Sequence, residues 1–197
     1  MNVLIVSTAF DEAHYICVKG GEVFSLETPS SAKHSETSLT SVDTVLDKAG
    51  IDVNDVDVFA VCIGPGSFTG VRIGVALIKG LLCGLDDKKV IGFSSFEPYA
   101  FSHNEIELLC IRASKDDFYV AKCVSGQVSD TLIMDNDEVK NLENACILDV
   151  VFDVDMLVKF VMSRIEKGEF DNINSINPLY LKPSQAEREL LKKEGNA

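Results

Sequence analysis

The segment that most constrains the fold is a glycine-rich turn, GPGSFTGVRIG, at residues 64–74. It follows an apolar run at 58–63 and leads into a segment with the apolar spacing of a helix, which ends near residue 84. This order predicts a buried strand that stops at a rigid Gly-Pro-Gly turn, and then a helix that begins at Ser67 or Thr69. The first turn of such a helix presents unpaired backbone N–H groups and the positive end of the helix dipole at one edge of a sheet.

The glycine turn has two interpretations. As a binding site, its N–H groups would hold an anion, and the candidate contacts are Gly66, Ser67, Thr69 and Arg72. As a structural element, its glycines allow backbone conformations that other residues resist, Pro65 stiffens the turn, and a hydroxyl caps the helix. We favour the structural interpretation. A P-loop is excluded, because the sequence contains no Gly-x-x-x-x-Gly-Lys-[Ser/Thr].

The first hundred residues predict the order β-β-β-α-β-α-β-α. The strands are expected at 3–6, 14–19, 22–27, 58–63 and 89–93, and the helices at 34–49, 69–84 and 95–101. Three sequential strands followed by alternating helices and strands indicate a mixed sheet covered by helices. This is the layout of a ribonuclease-H-like, actin-type lobe, and we predict that it spans residues 1–101.

A second, smaller and degenerate lobe is predicted for residues 102–197. Its expected strands are 106–111, 118–124 and 127–134, and its expected helices are 153–167 and a charged carboxy-terminal helix at 185–193. The fold class is therefore α/β, with two lobes of mixed sheet flanked by helices. A basic cluster near the carboxyl end consists of Lys182, Arg188, Lys192 and Lys193.

Composition limits the partners and the compartment. The chain has 18 basic and 31 acidic residues, a net charge of −13, which disfavours unaided binding to nucleic acid. No apolar stretch approaches the ~20 residues of a membrane span, and no basic segment precedes the first strand. Its six cysteines form no Cys-x-x-Cys pair, so we expect reduced, mostly buried thiols. We expect a soluble, cytoplasmic protein.

The helix after the glycine turn is apolar nearly all round. One stripe contains Val71, Val75, Ile78 and Leu82, and a second contains Gly70, Gly74, Leu77 and Leu81. Such a helix is normally covered on both sides, so a second cover is needed besides the sheet. We favour a partner protein over burial under the second lobe, because Gly70 and Gly74 would let another backbone approach closely.

Four motifs carry a resemblance to a known family. They are the glycine segment at 64–74, Lys79-Gly80-Leu81, His34-Ser35-Glu36 with Leu39, and Pro178-Leu179-Tyr180-Leu181-Lys182. Together they resemble the TsaB (YeaZ) family across nearly the whole chain. The resemblance implies an actin-like ATPase fold without catalysis of its own.

The same resemblance implies partners. TsaB pairs with its paralogue TsaD, which transfers a threonylcarbamoyl group to the adenosine beside the anticodon of ANN-decoding tRNAs, and the small ATPase TsaE completes the complex. TsaB pairs with itself when TsaD is absent, and it meets tRNA only through the complex. The helices at 34–49 and 69–84 would form the interface, with the candidate contacts His34, Leu39, Val42, Gly70, Val71, Arg72, Gly74, Val75 and Ile78. No cofactor of its own is implied; the alternative is ATP or ADP shared at the complex interface.

Positions that bind a metal in TsaD-type relatives are different here. Their His-x-x-x-His segment corresponds to Ser95 and Tyr99. The three histidines, His14, His34 and His103, share no spacing typical of ligands, so we expect no metal site.

The acids that hold magnesium in actin-type ATPases are also replaced. The end of the first strand reads Val6-Ser7-Thr8-Ala9, and the corresponding second-lobe motif begins Ile111-Arg112. Magnesium needs carboxylates or substrate phosphates, and no Gly-x-Ser-x-Gly elbow is present, so we expect no catalytic residue. Two alternatives stay open: an actin-fold small-metabolite kinase or ATPase, and a homodimeric scaffold for another client.

Overall fold

The computed structural model describes residues 1–29, 34–148 and 152–182, which form two mixed sheets with flanking helices. The predicted helix at 185–193, with Arg188, Lys192 and Lys193, lies outside the described residues. The predicted α/β class is confirmed by the alternation of strands and helices.

The first sheet has the strand order β3-β2-β1-β4-β5. Its strands are β1 (Asn2–Ser7), β2 (Ala13–Lys19), β3 (Glu22–Thr28), β4 (Val58–Gly64) and β5 (Lys89–Ser94). β1 is central and apolar because both of its faces are covered, and it runs parallel to β4 and antiparallel to β2.

The second sheet has the order β8-β7-β6-β9. Its strands are β6 (Leu108–Arg112), β7 (Asp117–Val124), β8 (Gln127–Asp135) and β9 (Ala145–Leu148). The sequence analysis missed β9, which pairs in parallel with β6, because four residues are too few to show a period. It also missed the short helix α4 (Asn136–Lys140), although the capping box formed by Asp135 and Glu138 was a usable signal.

The helices cover the sheets and join them. α1 (His34–Ala49) packs against β2 and β3, and α2 (Phe68–Leu82) packs beside it against β4 and β1. α3 (Glu97–Ser102) and α5 (Val154–Glu166) pack against each other, with α3 against β8 and α5 against β2, so they share one core with both sheets. Short 3₁₀ turns are found at Val53–Asp55 and Ile173–Ser175.

The chain returns to the first sheet after α5. The amide of Asp171 donates to the carbonyl of Val90 (2.8 Å), so this late segment extends the edge beside β5. The division into 1–101 and 102–197 therefore stays a prediction, since the two sheets lie on either side of it but the later segment contacts both. Among the described residues, no helix combines the length and the apolar character that a bilayer crossing needs.

Candidate functional site

The glycine turn has the geometry expected of a strand-to-helix connection. β4 ends at Gly64, whose φ of 97° lies in the region that favours glycine, and the Gly64–Pro65 peptide is cis. α2 then begins at Phe68, and the Ser67 hydroxyl accepts a hydrogen bond from the amide of Gly70 (3.2 Å). The predicted turn and helix are confirmed, with Ser67 rather than Thr69 as the cap.

The glycines of the motif allow the end of β1 to approach α2. A Cβ on Gly66 would lie 2.3 Å from the carbonyl oxygen of Ala9, and one on Gly70 would lie 2.0 Å from that of Thr8. A Cβ on Gly74 would lie 2.5 Å from the Thr8 hydroxyl, which itself donates to the Gly70 carbonyl (2.7 Å). Our expectation that Gly70 and Gly74 admit a partner's backbone is therefore corrected, because they admit the chain's own.

Most of the residues predicted to contact a partner are buried in the structure. Of the nine candidate interface residues, six are buried within the chain, because their side of each helix covers the sheet: Val42, Gly70, Val71, Gly74, Val75 and Ile78. Their side chains are not available to a partner in this structure. Leu39 is 56% exposed, Arg72 is exposed and His34 is partly exposed.

A second apolar face of α2 is accessible. Ile73 and Leu77 are half-buried, whereas Ala76 and Gly80 are exposed. Ile73 is three or four residues from Ala76 and Leu77, and Gly80 follows that pair by the same spacing, so the four form one stripe along the helix. We call this stripe the outer face of α2; sequence reasoning found only Leu77 of its members.

Arg72 lies in an aromatic cluster. Its Nε donates to the Tyr180 hydroxyl (2.6 Å), and its guanidinium carbon lies 3.7 Å from the centroid of the Phe68 ring. The centroids of the Phe68 and Tyr180 rings are 5.0 Å apart. Two separate motifs, the glycine turn and Pro178-Leu179-Tyr180-Leu181-Lys182, are thus in direct contact, which their distance in sequence concealed.

A cleft of about 680 Å³ separates the glycine turn from the connection between β6 and β7. Gly66, Ser67 and Thr69 line one wall, and Arg112 lines the other. The structure brings these three predicted anion contacts together, but Arg72 is turned toward Phe68 and Tyr180 outside the cleft lining. The binding of an anion here stays a prediction.

The positions that match the family's metal ligands make structural contacts. The Ser95 hydroxyl donates to the carbonyl of Pro65 (2.6 Å), so this buried side chain supports the glycine turn. The Tyr99 ring stacks on Phe152, with centroids 5.7 Å apart, and burial raises the pKa of Tyr99 to about 12. Over residues 1–29, 34–148 and 152–182, no three His, Cys, Asp or Glu side chains are grouped as metal ligands would be.

The positions that match the magnesium-holding acids differ in environment. Ser7 is fully buried at the end of β1, where it pairs with His14 of β2. Arg112 is exposed, and its guanidinium carbon lies 4.5 Å from the centroid of the Phe118 ring.

The burial of His14 predicts that the free energy of unfolding depends on pH. It is 2% exposed, and burial lowers its pKa from 6.5, an effect that Glu27 (3.8 Å from Nδ1) and Glu12 only partly oppose. The unfolded chain therefore binds this proton more readily, so stability falls as the pH drops below 6.5, by at most about 1.4 kcal/mol per pH unit.

Urea unfolding at pH 7.5 and 5.5 tests this prediction. We expect His14→Gln to lose less stability between these pH values than the unmodified chain, whereas His103→Gln, at an exposed position, retains the full loss. Equal losses in all three proteins would contradict the assignment.

Comparisons with known proteins agree with these features. A family model described as TsaD, tRNA N6-adenosine threonylcarbamoyltransferase, matches residues 28–149, more than half of the chain. Among curated proteins, the tRNA threonylcarbamoyladenosine biosynthesis proteins TsaB of Haemophilus influenzae and Escherichia coli are each 31% identical over 86 residues, 44% of this chain. The matched region spans 36% and 37% of those relatives, little more than a third of their length.

Solved structures confirm the fold. YeaZ from Pseudomonas aeruginosa superposes with a TM-score of 0.72 at 19% identity, covering 91% of this chain and 99% of that one. A second structure, described by its similarity to peptidase YeaZ from Pseudomonas aeruginosa, gives a TM-score of 0.74 at 20% identity over 92% of this chain and 99% of that one. The predicted two-lobed, actin-like ATPase fold is confirmed. The sequence motifs of this chain, the family model and the curated relatives together show that the chain belongs to the TsaD family and, within it, to the TsaB (YeaZ) group.

Proposed function

We propose that this chain is a non-catalytic subunit of the tRNA N6-threonylcarbamoyladenosine synthase. It would pair with a TsaD-type catalytic subunit, together with TsaE, and would meet tRNA only through that complex. The observation that carries the proposal is the outer face of α2.

The outer face of α2 is suited to a helical partner. α2 already covers the first sheet with its buried stripe, yet Ile73, Ala76 and Leu77 remain wholly or partly accessible. A Cβ on Gly80 would meet nothing within 4 Å, so this stripe has room for close approach. α1 lies beside α2 and carries a further exposed apolar side chain, that of Leu39.

The non-catalytic role is supported by the residues at the chemically important positions. Ser7 is buried without a carboxylate, Arg112 is a cation, and Ser95 is engaged with the glycine turn. None of these side chains is a carboxylate or an imidazole, the groups that usually hold magnesium or a catalytic metal in proteins. The net charge of −13 supports a role in which another subunit binds the tRNA backbone.

The proposal includes a nucleotide shared between this chain and its partner subunit. Gly66, Ser67 and Thr69 line the cleft at the start of α2, and backbone N–H groups in the first turn of a helix bind phosphate oxygens. We therefore propose ATP or ADP only at the assembled interface, not as a resident cofactor. Calorimetric titration of ATP into the chain alone and into the complex tests this, and tight binding by the isolated chain would contradict it.

The function is tested by reconstitution with TsaD and TsaE from the same organism. We expect threonylcarbamoyladenosine in tRNA to be lost when this chain is omitted. Leu77→Arg should weaken association with TsaD at least tenfold, because an apolar contact is replaced by a charge. It should lower the melting temperature only slightly, because Leu77 is half-buried against the chain's own core. Val124→Arg is the matched control, since Val124 is 63% exposed in the second lobe.

Three results would reject the proposal. Full activity without this chain would exclude a subunit role, and turnover of Mg-ATP by the isolated chain would favour the kinase alternative. Unaltered association of Leu77→Arg would reject the outer face of α2. Gly74→Arg is unsuitable for this test, because Gly74 is buried against Thr8 and its replacement would disturb the fold.

A further inference from the structure

Residues 177–182, which we call the strap, are the last described residues of the chain, and 179–182 line the cleft. The amide of Leu179 donates to the carbonyl of Ile63 at the end of β4 (2.7 Å). The Leu179 carbonyl oxygen lies 3.4 Å from the position that a Cβ on Gly64 would occupy. The strap is therefore held on the first lobe through its backbone.

Tyr180 provides a side-chain anchor on the same lobe. Its hydroxyl accepts the hydrogen bond from Arg72 Nε, and its ring packs near Phe68 in the first turn of α2. The guanidinium carbon of Arg72 also lies 5.3 Å from the Tyr180 centroid, within the range of a cation–π contact. Tyr180 is 46% exposed, so this anchor lies at the surface.

Lys182 provides an anchor on the opposite lobe. Its ammonium pairs with the carboxylate of Asp117 at the start of β7, and it lies 3.5 Å from the Ser114 hydroxyl. Ser114 donates to the same carboxylate (3.0 Å), so the three groups form one polar cluster. The Lys182 and Asp117 side chains are only 18% and 27% exposed, which shields the ion pair from solvent.

The two anchors are close in sequence but hold opposite walls. Residues 180 and 182 are separated by two peptide units, which span at most about 7 Å. The walls cannot move apart at the cleft mouth unless one anchor breaks. Elsewhere the lobes share the core around α3 and α5, where the Phe93 and Phe160 rings are 5.8 Å apart, so that core is the natural hinge.

We infer that the strap is a latch: its attachments to the first lobe through Leu179 and Tyr180, and to the second lobe through the Lys182–Asp117 pair, together keep the cleft closed, and loss of the Lys182–Asp117 pair lets the lobes open about the shared core. This inference concerns the chain alone and does not depend on the proposed function.

Hydrogen exchange of the full chain, read by mass spectrometry, tests the latch. Lys182→Met should speed exchange about tenfold in residues 66–72, on the wall that Lys182 does not contact. Arg72→Met should leave exchange in residues 111–119 unchanged, because the hydrogen bond from the Leu179 amide to the Ile63 carbonyl still holds the strap on the first lobe. The double variant should exchange no faster than Lys182→Met in residues 111–119, because loss of the Lys182 anchor already releases the latch.

Two controls separate the latch from general destabilisation. Lys140→Met removes an exposed ion pair with Asp137 in the second lobe, and exchange at both walls should not change. Amides of β1 should exchange equally slowly in all variants. If Arg72→Met does not fold, Tyr180→Phe removes only the hydroxyl and gives the same test.

If Lys182→Met speeds exchange only in residues 111–119, the wall that its own side chain contacts, the latch is rejected. The latch is also rejected if Arg72→Met speeds exchange in residues 111–119 as much as Lys182→Met does.

Discussion

Gly70→Ala is expected to lower the free energy of unfolding by about 3 kcal/mol, at the upper end for overpacking a tight contact. The new methyl group would lie 2.0 Å from the backbone carbonyl oxygen of Thr8, directly after β1, and it would be fixed to the backbone of α2. Moving α2 away would also stretch the hydrogen bond from the Thr8 hydroxyl to the Gly70 carbonyl.

Gly80→Ala is the matched control in the same helix. A Cβ there meets nothing within 4 Å, so alanine should stabilise the chain by about 0.5–1 kcal/mol through its higher helix propensity. Urea unfolding of both variants measures the difference. Similar effects at the two positions would show that Gly70 is not pressed against β1.

Val75→Asp is expected to cost on the order of 4 kcal/mol, because an unpaired carboxylate would be buried between α2 and the first sheet. Val75 is 4% exposed, whereas the next residue, Ala76, is exposed. Ala76→Asp should therefore cost less than about 1 kcal/mol, mainly through helix propensity.

Circular dichroism during thermal unfolding distinguishes these neighbouring substitutions. We expect Val75→Asp to lose much of its native signal at temperatures where Ala76→Asp remains folded. Equal sensitivity would mean that the two faces of α2 are assigned incorrectly.

Much of the first lobe could be predicted from its sequence. Its strands β1, β4 and β5 are largely apolar runs of six or seven residues, and Gly20 and Gly21 mark the hairpin that pairs Lys19 with Glu22. The glycine turn was predictable because a strand, a Gly-Pro-Gly turn and a capping serine follow in order. In each case the signal is local, so one short window contains all of the information.

The partner face was harder to predict because a helical wheel does not say which apolar stripe meets the sheet. Val71, Val75 and Ile78 were assigned to an interface, but they cover the chain's own core. Gly74 was grouped with Leu77, although Gly74 faces Thr8, 66 positions earlier in the sequence by residue number. Only tertiary contacts decide between two stripes of similar hydropathy.

The contacts of Arg72 at the candidate site could not be predicted from the sequence either. Its place after the glycine turn suggested an anion or a partner, yet its hydrogen-bond acceptor, Tyr180, lies 108 positions away. The motif that contains Tyr180 was visible in the sequence, but nothing in either segment showed that the two meet.

The strap also has a consequence for synthesis on the ribosome. The amide that covers the end of β4 belongs to Leu179, and the phenol that meets Arg72 belongs to Tyr180. Translation delivers both residues only after every strand of the first and second sheets has been made. The amino-terminal half therefore emerges before the carbonyl of Ile63 and the side chain of Arg72 can meet these partners, and a nascent chain at that stage must fold without them.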